Sequence, residues 1–260
     1  MIKLIITDMD GTLLDDNHMI NDEFWEVFEK LKKRGIHFAS ASGRQYYNLL
    51  KNLEEIKDDV YFVAENGTYV VHRGEELFLN ALPMEDARML VEKGRRVESA
   101  DVILCGKRSA YVDSNKAEFI KEVEKYYEKY EIVADLLQVD DDVLKVTLCD
   151  FTGAEENSHP HFTDFEDRYK ITVSGSIWLD IVNKDANKGV AIEKLQNMLK
   201  IKPEETMAFG DYLNDVEMLQ DAYYSYAMEN AHPKLKESAR FLAKSNNDNG
   251  VVEKIKEMIF

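Results

Sequence analysis

The sequence predicts an α/β protein: a doubly wound, mostly parallel sheet of the Rossmann-like kind, with an α+β domain inserted into it. Three observations predict this. Short apolar strand patterns alternate with amphipathic helix patterns at both ends of the chain. The middle instead places strands next to one another. Polar clusters follow the core strands, where ligands of open parallel sheets sit.

Lys3 to Thr7 is short, apolar and rich in Ile, as a buried strand should be. Asn21 can cap the next helix, whose apolar positions Phe24, Val27, Phe28 and Leu31 share one face before Gly35 stops it. Ile36 to Ser40 reads as a second strand, and Tyr46, Leu49, Leu50 and Leu53 as another helical stripe. Val60 to Ala64 reads as a third strand. This alternation implies parallel crossovers. It returns late in the chain. Ala191, Leu195, Met198 and Leu199 form a helical stripe, Thr206 to Phe209 and Tyr223 to Met228 read as strands, and Val251, Ile255, Met258 and Ile259 close with a helix.

Between these halves the rhythm changes. A helix over Asp86 to Val97 precedes adjacent strands at Val102 to Cys105 and Ala110 to Asp113. A helix over Ala117 to Lys129 is followed by strands at Val143 to Cys149, Lys170 to Val173 and Ile177 to Val182. Adjacent strands joined by tight turns predict an antiparallel sheet with helices on one face. The expected division is residues 1–81 and 186–260 for the core and 82–185 for the inserted domain.

The chain has 260 residues, 45% hydrophobic and 32% charged, enough for a substantial core. Its formal charge of −17 argues against nucleic-acid or anionic-membrane partners, since no basic patch offsets it. Lys32, Lys33 and Arg34 end a predicted helix, where cations suit the dipole. The opening apolar run is too short for a signal peptide or a membrane span. Cys105 and Cys149 show no CxxC spacing, which points to a reducing cytoplasm with neither disulfides nor zinc. The pattern does not set the oligomeric state.

Four polar clusters carry the chemistry. Asp8-Met9-Asp10-Gly11-Thr12 follows the first strand, and Ser42-Gly43-Arg44 follows the second. Gly210 to Asp215 (GDYLND) follows the late strand, and Lys188 opens a helix leading back into the core. Singly, each has a plainer reading: an acidic turn, a Ser-Gly turn, a surface helix start, a helix cap. Together, at the carboxyl ends of core strands, they suit phosphoryl transfer. A carboxylate such as Asp8 can attack phosphorus, and Asp10 can give a proton to the leaving oxygen and later take one from water. Asp8 and Asp211 offer the hard oxygen ligands that Mg²⁺ prefers. Lys188, the Ser42 hydroxyl and backbone N–H groups near Met9 and Asp10 can hold phosphoryl oxygens.

DMDGTLL, ASGR, NKG and GDYLND, in that order, resemble the four motifs of the haloacid dehalogenase superfamily. ENG at Glu65 to Gly67 and AMENAHPKLK at Ala227 to Lys236 resemble further features of its Cof-type phosphatases, which carry a large cap between the second and third motifs. The resemblance implies a Mg²⁺-dependent phosphatase acting on a small phosphorylated metabolite: a sugar phosphate, a phosphorylated cofactor or a nucleotide. It implies Asp8 as nucleophile and metal ligand, and Asp10 as acid/base that also gives its carbonyl to the metal. Thr12 would steady the loop, while Met9, Ser42, Gly43 and Lys188 would bind phosphate. Asp211 would ligate Mg²⁺, with Asn214 and Asp215 supporting phosphate, lysine and metal. The rival on this scaffold is a phosphomutase or other phosphotransferase. A signalling receiver shares the acidic pair, hydroxyl and lysine, but is about half this length and has no cap. His159 and His161 read as an exposed cap loop. The Tyr pairs at 46–47, 126–127 and 223–224, and Trp178, read as packing residues.

Overall fold

The computed structural model describes residues 1–260. The first strands are β1 (Leu4–Thr7), β2 (His37–Ala41), β3 (Val60–Ala64), β4 (Tyr69–His72) and β5 (Glu75–Leu79). The middle of the chain gives β6 (Ala100–Gly106), β7 (Ala110–Val112), β8 (Tyr130–Ile132), β9 (Val143–Asp150), β10 (Tyr169–Gly175) and β11 (Trp178–Asn183). The last are β12 (Thr206–Gly210), β13 (Tyr224–Met228) and β14 (Phe241–Ala243). The helices are α1 (Glu23–Lys33), α2 (Tyr46–Asn52), α3 (Met84–Gly94), α4 (Ala117–Tyr126), α5 (Lys188–Leu199), α6 (Val216–Gln220), α7 (Pro233–Ser238) and α8 (Gly250–Ile259). The chain forms two compact units: residues 1–43, 52–78 and 187–260, and residues 44–51 and 79–186.

In the first unit, an eight-stranded sheet runs in the order β14-β13-β12-β1-β2-β3-β4-β5. From β14 to β3 every pair is parallel, and β4 turns back antiparallel to β3. The chain leaves β1 toward β2 and β3 on one side, and later builds β12, β13 and β14 on the other. The carboxyl ends of β1 and β12 therefore flank the point where strand order reverses, where such sheets form a crevice. Hydrophobic burial fixes this frame. Leu4, Ile5 and Ile6 of β1 are fully buried. The α1 rings of Phe24 and Phe28 pack 5.4 and 5.6 Å from Phe38 of β2.

The second unit holds a six-stranded sheet, β10-β11-β9-β6-β7-β8, antiparallel except where β8 joins β7 in parallel. The expectation of helices on one face is corrected here. Alternate residues of β6 point to opposite faces. Val102 and Leu104 pack with Ala87, Leu90 and Val91 of α3, whereas Ile103 and Cys105 pack with Phe119 and Val123 of α4. Each face thus has its own core. Both cysteines are buried free thiols in the α4 core. Gln45, just before α2, grips the Lys129 backbone, donating to its O at 2.8 Å and accepting from its N at 3.0 Å.

Elements absent from the sequence reading are β4, β5, β8, β14, α6 and α7. The strands β8 and β14 have three residues each and largely exposed side chains, so no buried pattern marks them. Arg73 and Gly74, at φ 53° and 74°, make the tight turn joining β4 to β5. Of the tyrosine pairs, Tyr127 is buried, but Tyr126 and Tyr223 are 52% and 41% exposed and are not core residues. Tyr126 meets Trp178 edge-on at 5.3 Å. His159 lies beside Glu166, with Nε2 at 3.3 Å from Oε1.

If α4 builds a second core, removing its central ring must be felt. Phe119→Ala should cost about 3–5 kcal/mol in urea denaturation, the usual range for a fully buried phenylalanine. A loss below about 1 kcal/mol would show that α4 merely rests on the surface.

Candidate active site

Apart from Arg44, the four polar clusters belong to the first unit, and three leave the carboxyl ends of adjacent parallel strands. Thr7 of β1 stands opposite both Ser40 of β2 and Phe209 of β12. Asp8, the Ser42 turn and the Gly210 to Asp215 loop consequently emerge side by side. The Asp8 backbone N donates to Phe209 O at 3.0 Å, extending the ladder one residue beyond β1.

Lys188 is the hub. Its side chain is fully buried, and Nζ donates to Asp8 Oδ1 and Asp215 Oδ1, each at 2.6 Å. Asp215 is also fully buried, and its other oxygen accepts from the backbone N of Asp211 at 3.0 Å and of Tyr212 at 3.1 Å. Both Asp215 oxygens are thereby engaged, so it braces the lysine and the loop that presents Asp211. Thr12 Oγ1 donates to Asp211 Oδ1 at 3.1 Å, tying the first loop to the fourth motif.

Gly11 makes this approach possible. It sits at φ 69°, and a Cβ there would fall 2.4 Å from Asp211 Oδ2. A side chain would be both strained and obstructed. Two contacts that the sequence reading had not assigned secure the same loops. Asn230 Nδ2 donates to Gly11 O at 2.7 Å, and the His232 backbone N donates to Asp211 O at 2.8 Å. Both belong to AMENAHPKLK, a segment the sequence marks only by its resemblance. Ser42 is buried, its N donating to Val63 O at 2.9 Å. Asn214 Nδ2 donates to Asn66 Oδ1 at 2.9 Å. Met9 has a fully buried side chain, which leaves its backbone as its only group for a ligand. The Asp10 side chain stands apart from the carboxylate cluster, 46% exposed, with Oδ1 at 3.5 Å from His18 Nδ1.

One oxygen from each of Asp8, Asp211 and Asp215 lies within 4.8 Å of the others. Three carboxylates thus share a single ammonium, and when all three are ionised two negative charges are left unbalanced. Burial drives the Asp8 carboxyl well above the usual range; Lys188 opposes this, while Asp215 and Asp211 reinforce it. Burial and the charge of Asp215 push Asp211 up to about 6. For Lys188, burial pulls downward, but Asp215 and Asp8 more than offset it and hold the ammonium above its ordinary value. Hard oxygen donors with an unmet charge of two fit a divalent cation. With Asp215 engaged, Asp8 and Asp211 are the side chains that remain to hold it.

Removing the ammonium should expose this imbalance. In the absence of metal, Lys188→Met should lose about 3–5 kcal/mol at pH 8, the cost of leaving buried charges without a partner. Carboxyls whose pKa is raised in the folded state take up protons more readily there than when unfolded. Stability of the variant should therefore recover as the pH is lowered and fall as it rises. Urea denaturation in EDTA at pH 5 and pH 8 checks both points; an equal loss at the two pH values would contradict the charge account.

The haloacid dehalogenase-like hydrolase family profile matches residues 5–255. Over 263 residues the chain is 35% identical to 5-amino-6-(5-phospho-D-ribitylamino)uracil phosphatase YbjI of Escherichia coli, covering 99% of this chain and 96% of that one. It is 25% identical to phosphatase YwpJ of Bacillus subtilis, over 99% and 100% of the two chains. Among solved structures, SMU.1108c of Streptococcus mutans superposes with a TM-score of 0.88 at 30% identity, covering 99% and 98% of the chains. TM0651 of Thermotoga maritima superposes at 0.89 with 27% identity, covering 100% and 98%. With the family profile spanning nearly the whole chain and the relatives matching end to end, the chain belongs to the haloacid dehalogenase-like hydrolases.

Proposed function

We propose that the chain is a Mg²⁺-dependent phosphatase that hydrolyses small phosphate monoesters through a phosphoryl group carried on Asp8. The observation that carries this reading is the buried ammonium of Lys188 bridging Asp8 and Asp215 at 2.6 Å, beside Asp211. Lys188 takes one Asp8 oxygen and leaves Oδ2 for attack on phosphorus. As the bond from Asp8 to phosphorus forms, the bond to the leaving oxygen breaks, and the Asp10 carboxyl supplies the proton that oxygen needs. Asp10 then takes a proton from water, whose oxygen attacks phosphorus. Phosphate departs and the Asp8 carboxylate is restored. Lys188, Ser42 and the backbone of Met9 and Gly43 hold the equatorial oxygens, and Asn214 supports them. Asp8, Asp211 and the Asp10 carbonyl would hold Mg²⁺, which supplies charge neutralisation for the phosphoryl group.

The relatives support a substrate class. The Escherichia coli protein is named for a phosphorylated ribityl compound, and this chain matches it end to end. We extend that class, phosphorylated sugars, polyols and their nucleobase conjugates, to this chain. Residues 1–81 and 186–260 would serve as the catalytic core, and 82–185 as the cap that selects the leaving group, in a cytoplasmic enzyme. No helix is long and apolar enough to cross a membrane. A phosphomutase would yield an isomerised ester rather than free phosphate, and no observation favours it.

Asp8 and Asp10 should separate cleanly. Asp8→Asn should abolish turnover, because an amide is a poor nucleophile toward phosphorus. Asp10→Asn should slow alkyl phosphates by about 10²–10⁴-fold, the typical worth of acid–base help. With an aryl phosphate, whose leaving group needs no proton, Asp10→Asn should still form the phosphoryl-aspartate and then stall. Rapid-quench mass spectrometry would detect that adduct on Asp8. Equal loss of both substrate types in both variants, with no adduct trapped, would sink these roles.

Metal dependence supplies a second check. EDTA should abolish activity and Mg²⁺ restore it. With Asp211 pushed up to about 6, its proton competes with the cation below that pH. Apparent Mg²⁺ affinity should weaken as the pH falls through about 6, because protons on Asp211 and on the raised Asp8 carboxyl both compete with the cation. Calorimetric titration at pH 5 and 7.5 would measure this, and full activity in excess EDTA would refute the metal-dependent reading.

A further inference from the structure

Directly after β3 the chain makes a turn that the proposed reaction does not use. Glu65 and Asn66 lie at φ 48° and 56°, and Gly67 follows at 93°. The left-handed region costs an ordinary residue about 1–2 kcal/mol, and asparagine tolerates it better than most. A costly conformation at the carboxyl end of a central strand invites a functional explanation.

The turn touches three of the four motifs. The Asn66 backbone N donates to Ser42 O at 2.9 Å. Its side-chain Oδ1 accepts from Asn214 Nδ2 at 2.9 Å. Its amide lies against Gly43, where an added Cβ would sit 3.1 Å from both Nδ2 and Oδ1. At Gly67 a Cβ would fall 2.3 Å from Asn187 O, so only glycine lets the turn press against the residue that caps α5. Lys188 is the first residue of that helix.

We propose that Asn66 is a positioning residue for the phosphate site, one that sets the Asn214 amide and the Ser42-Gly43 turn in the geometry needed to receive phosphoryl oxygens. One Nδ2 hydrogen of Asn214 goes to Asn66, which fixes where the other points. The backbone bond to Ser42 and the packing on Gly43 set the second motif from the same residue. Asn66 acts through these groups. The inference rests on the phosphatase reading of the site.

The decisive variant is Asn66→Gly, because glycine keeps the left-handed backbone and removes only the amide. In Mg²⁺ buffer it should melt within a few degrees of the wild type. KM for p-nitrophenyl phosphate and the inhibition constant of orthophosphate should both rise by about tenfold, the scale of a lost hydrogen bond to a charged group. In an Asn214→Ala background, Asn66→Gly should add clearly less than its tenfold effect alone, since only its packing on Gly43 is then left to lose. Orthophosphate titration followed by the Asn214 side-chain amide signal in ¹H–¹⁵N spectra gives a readout without turnover. The signal should shift saturably in the wild type and need about tenfold more phosphate in Asn66→Gly. Wild-type constants in Asn66→Gly, or fully additive losses with Asn214→Ala, overturn the positioning role while leaving the phosphatase reading intact. A wild type that binds orthophosphate with the expected dependence on Asn66, yet hydrolyses no phosphate ester, overturns the phosphatase reading alone. A wild type that neither binds orthophosphate nor turns over overturns both.

Discussion

An ammonium group with no exposure to solvent sits between two carboxylates that reach it from different strands, and the loops around it are arranged to keep it there. Burying Lys188 is costly, because its charge loses water that the protein must replace. Two charge-assisted bonds of 2.6 Å make that replacement. The position is also unfavourable by local rules. Lys188 opens α5, where the helix dipole is positive and repels a cation by about 0.3–1 kcal/mol. Asn187 compensates in part by accepting from Val190 N at 2.9 Å. A cation forced into a positive helix end, deep in the core, breaks local preference where a site needs it. In the proposed reaction, ammonium and helix terminus would together offset part of the negative charge that a phosphoryl group brings.

Given that hub, the remaining geometry becomes a matter of how closely loops from separate strands can approach. Side chains would keep them apart at two points. At Gly11 the first loop closes on Asp211, and at Gly67 the turn after β3 closes on Asn187. Both glycines have positive φ, so space and backbone conformation demand the same residue. Polar bonds then hold what the glycines allow: Thr12 to Asp211, Asn230 to Gly11, His232 to Asp211 and Asn66 to Asn214. All but the His232 bond span well over a hundred residues of sequence. The site is a product of the fold rather than of any one segment.

That origin explains what could be read beforehand. The strands from Leu4 to Thr7 and Val60 to Ala64 announced themselves because both faces are buried, which makes a continuous apolar run. The motif residues were legible because ligand chemistry in a parallel sheet gathers at strand ends, and their order matched a known set. Edge strands β8 and β14 were not legible, since half-exposed three-residue strands bury too little to leave a pattern. The second face of the inserted sheet was missed for another reason. The α4 stripe of Phe119 and Val123 shows which side of the helix is buried, but nothing local says which face of the sheet it meets. Asn66 and Asn230 were visible as parts of motifs and mute as to role, because their partners lie 148 and 219 residues away.

The two aspartates of the first loop are separated by one residue and by a large difference in surroundings. Asp8 is 6% exposed, and its carboxyl is driven upward by burial, a state that favours release of the charge to a cation or to phosphorus. In the proposed reaction a nucleophile in that position would be shielded from water, so the bond it formed with phosphorus would not be hydrolysed at random. The Asp10 side chain is 46% exposed. An acid that must give its proton to a departing oxygen, and then take one from an arriving water, needs access to both. The turn that starts after Asp8 does the sorting. Asp8 is still extended at ψ 166°, in register with β12, whereas Gly11 at φ 69° swings the chain away immediately after Asp10. The same sharp exit that brings the loop against Asp211 thus leaves one carboxylate in the core and puts the other in the open. Neither residue could take the role proposed for the other without rebuilding that turn.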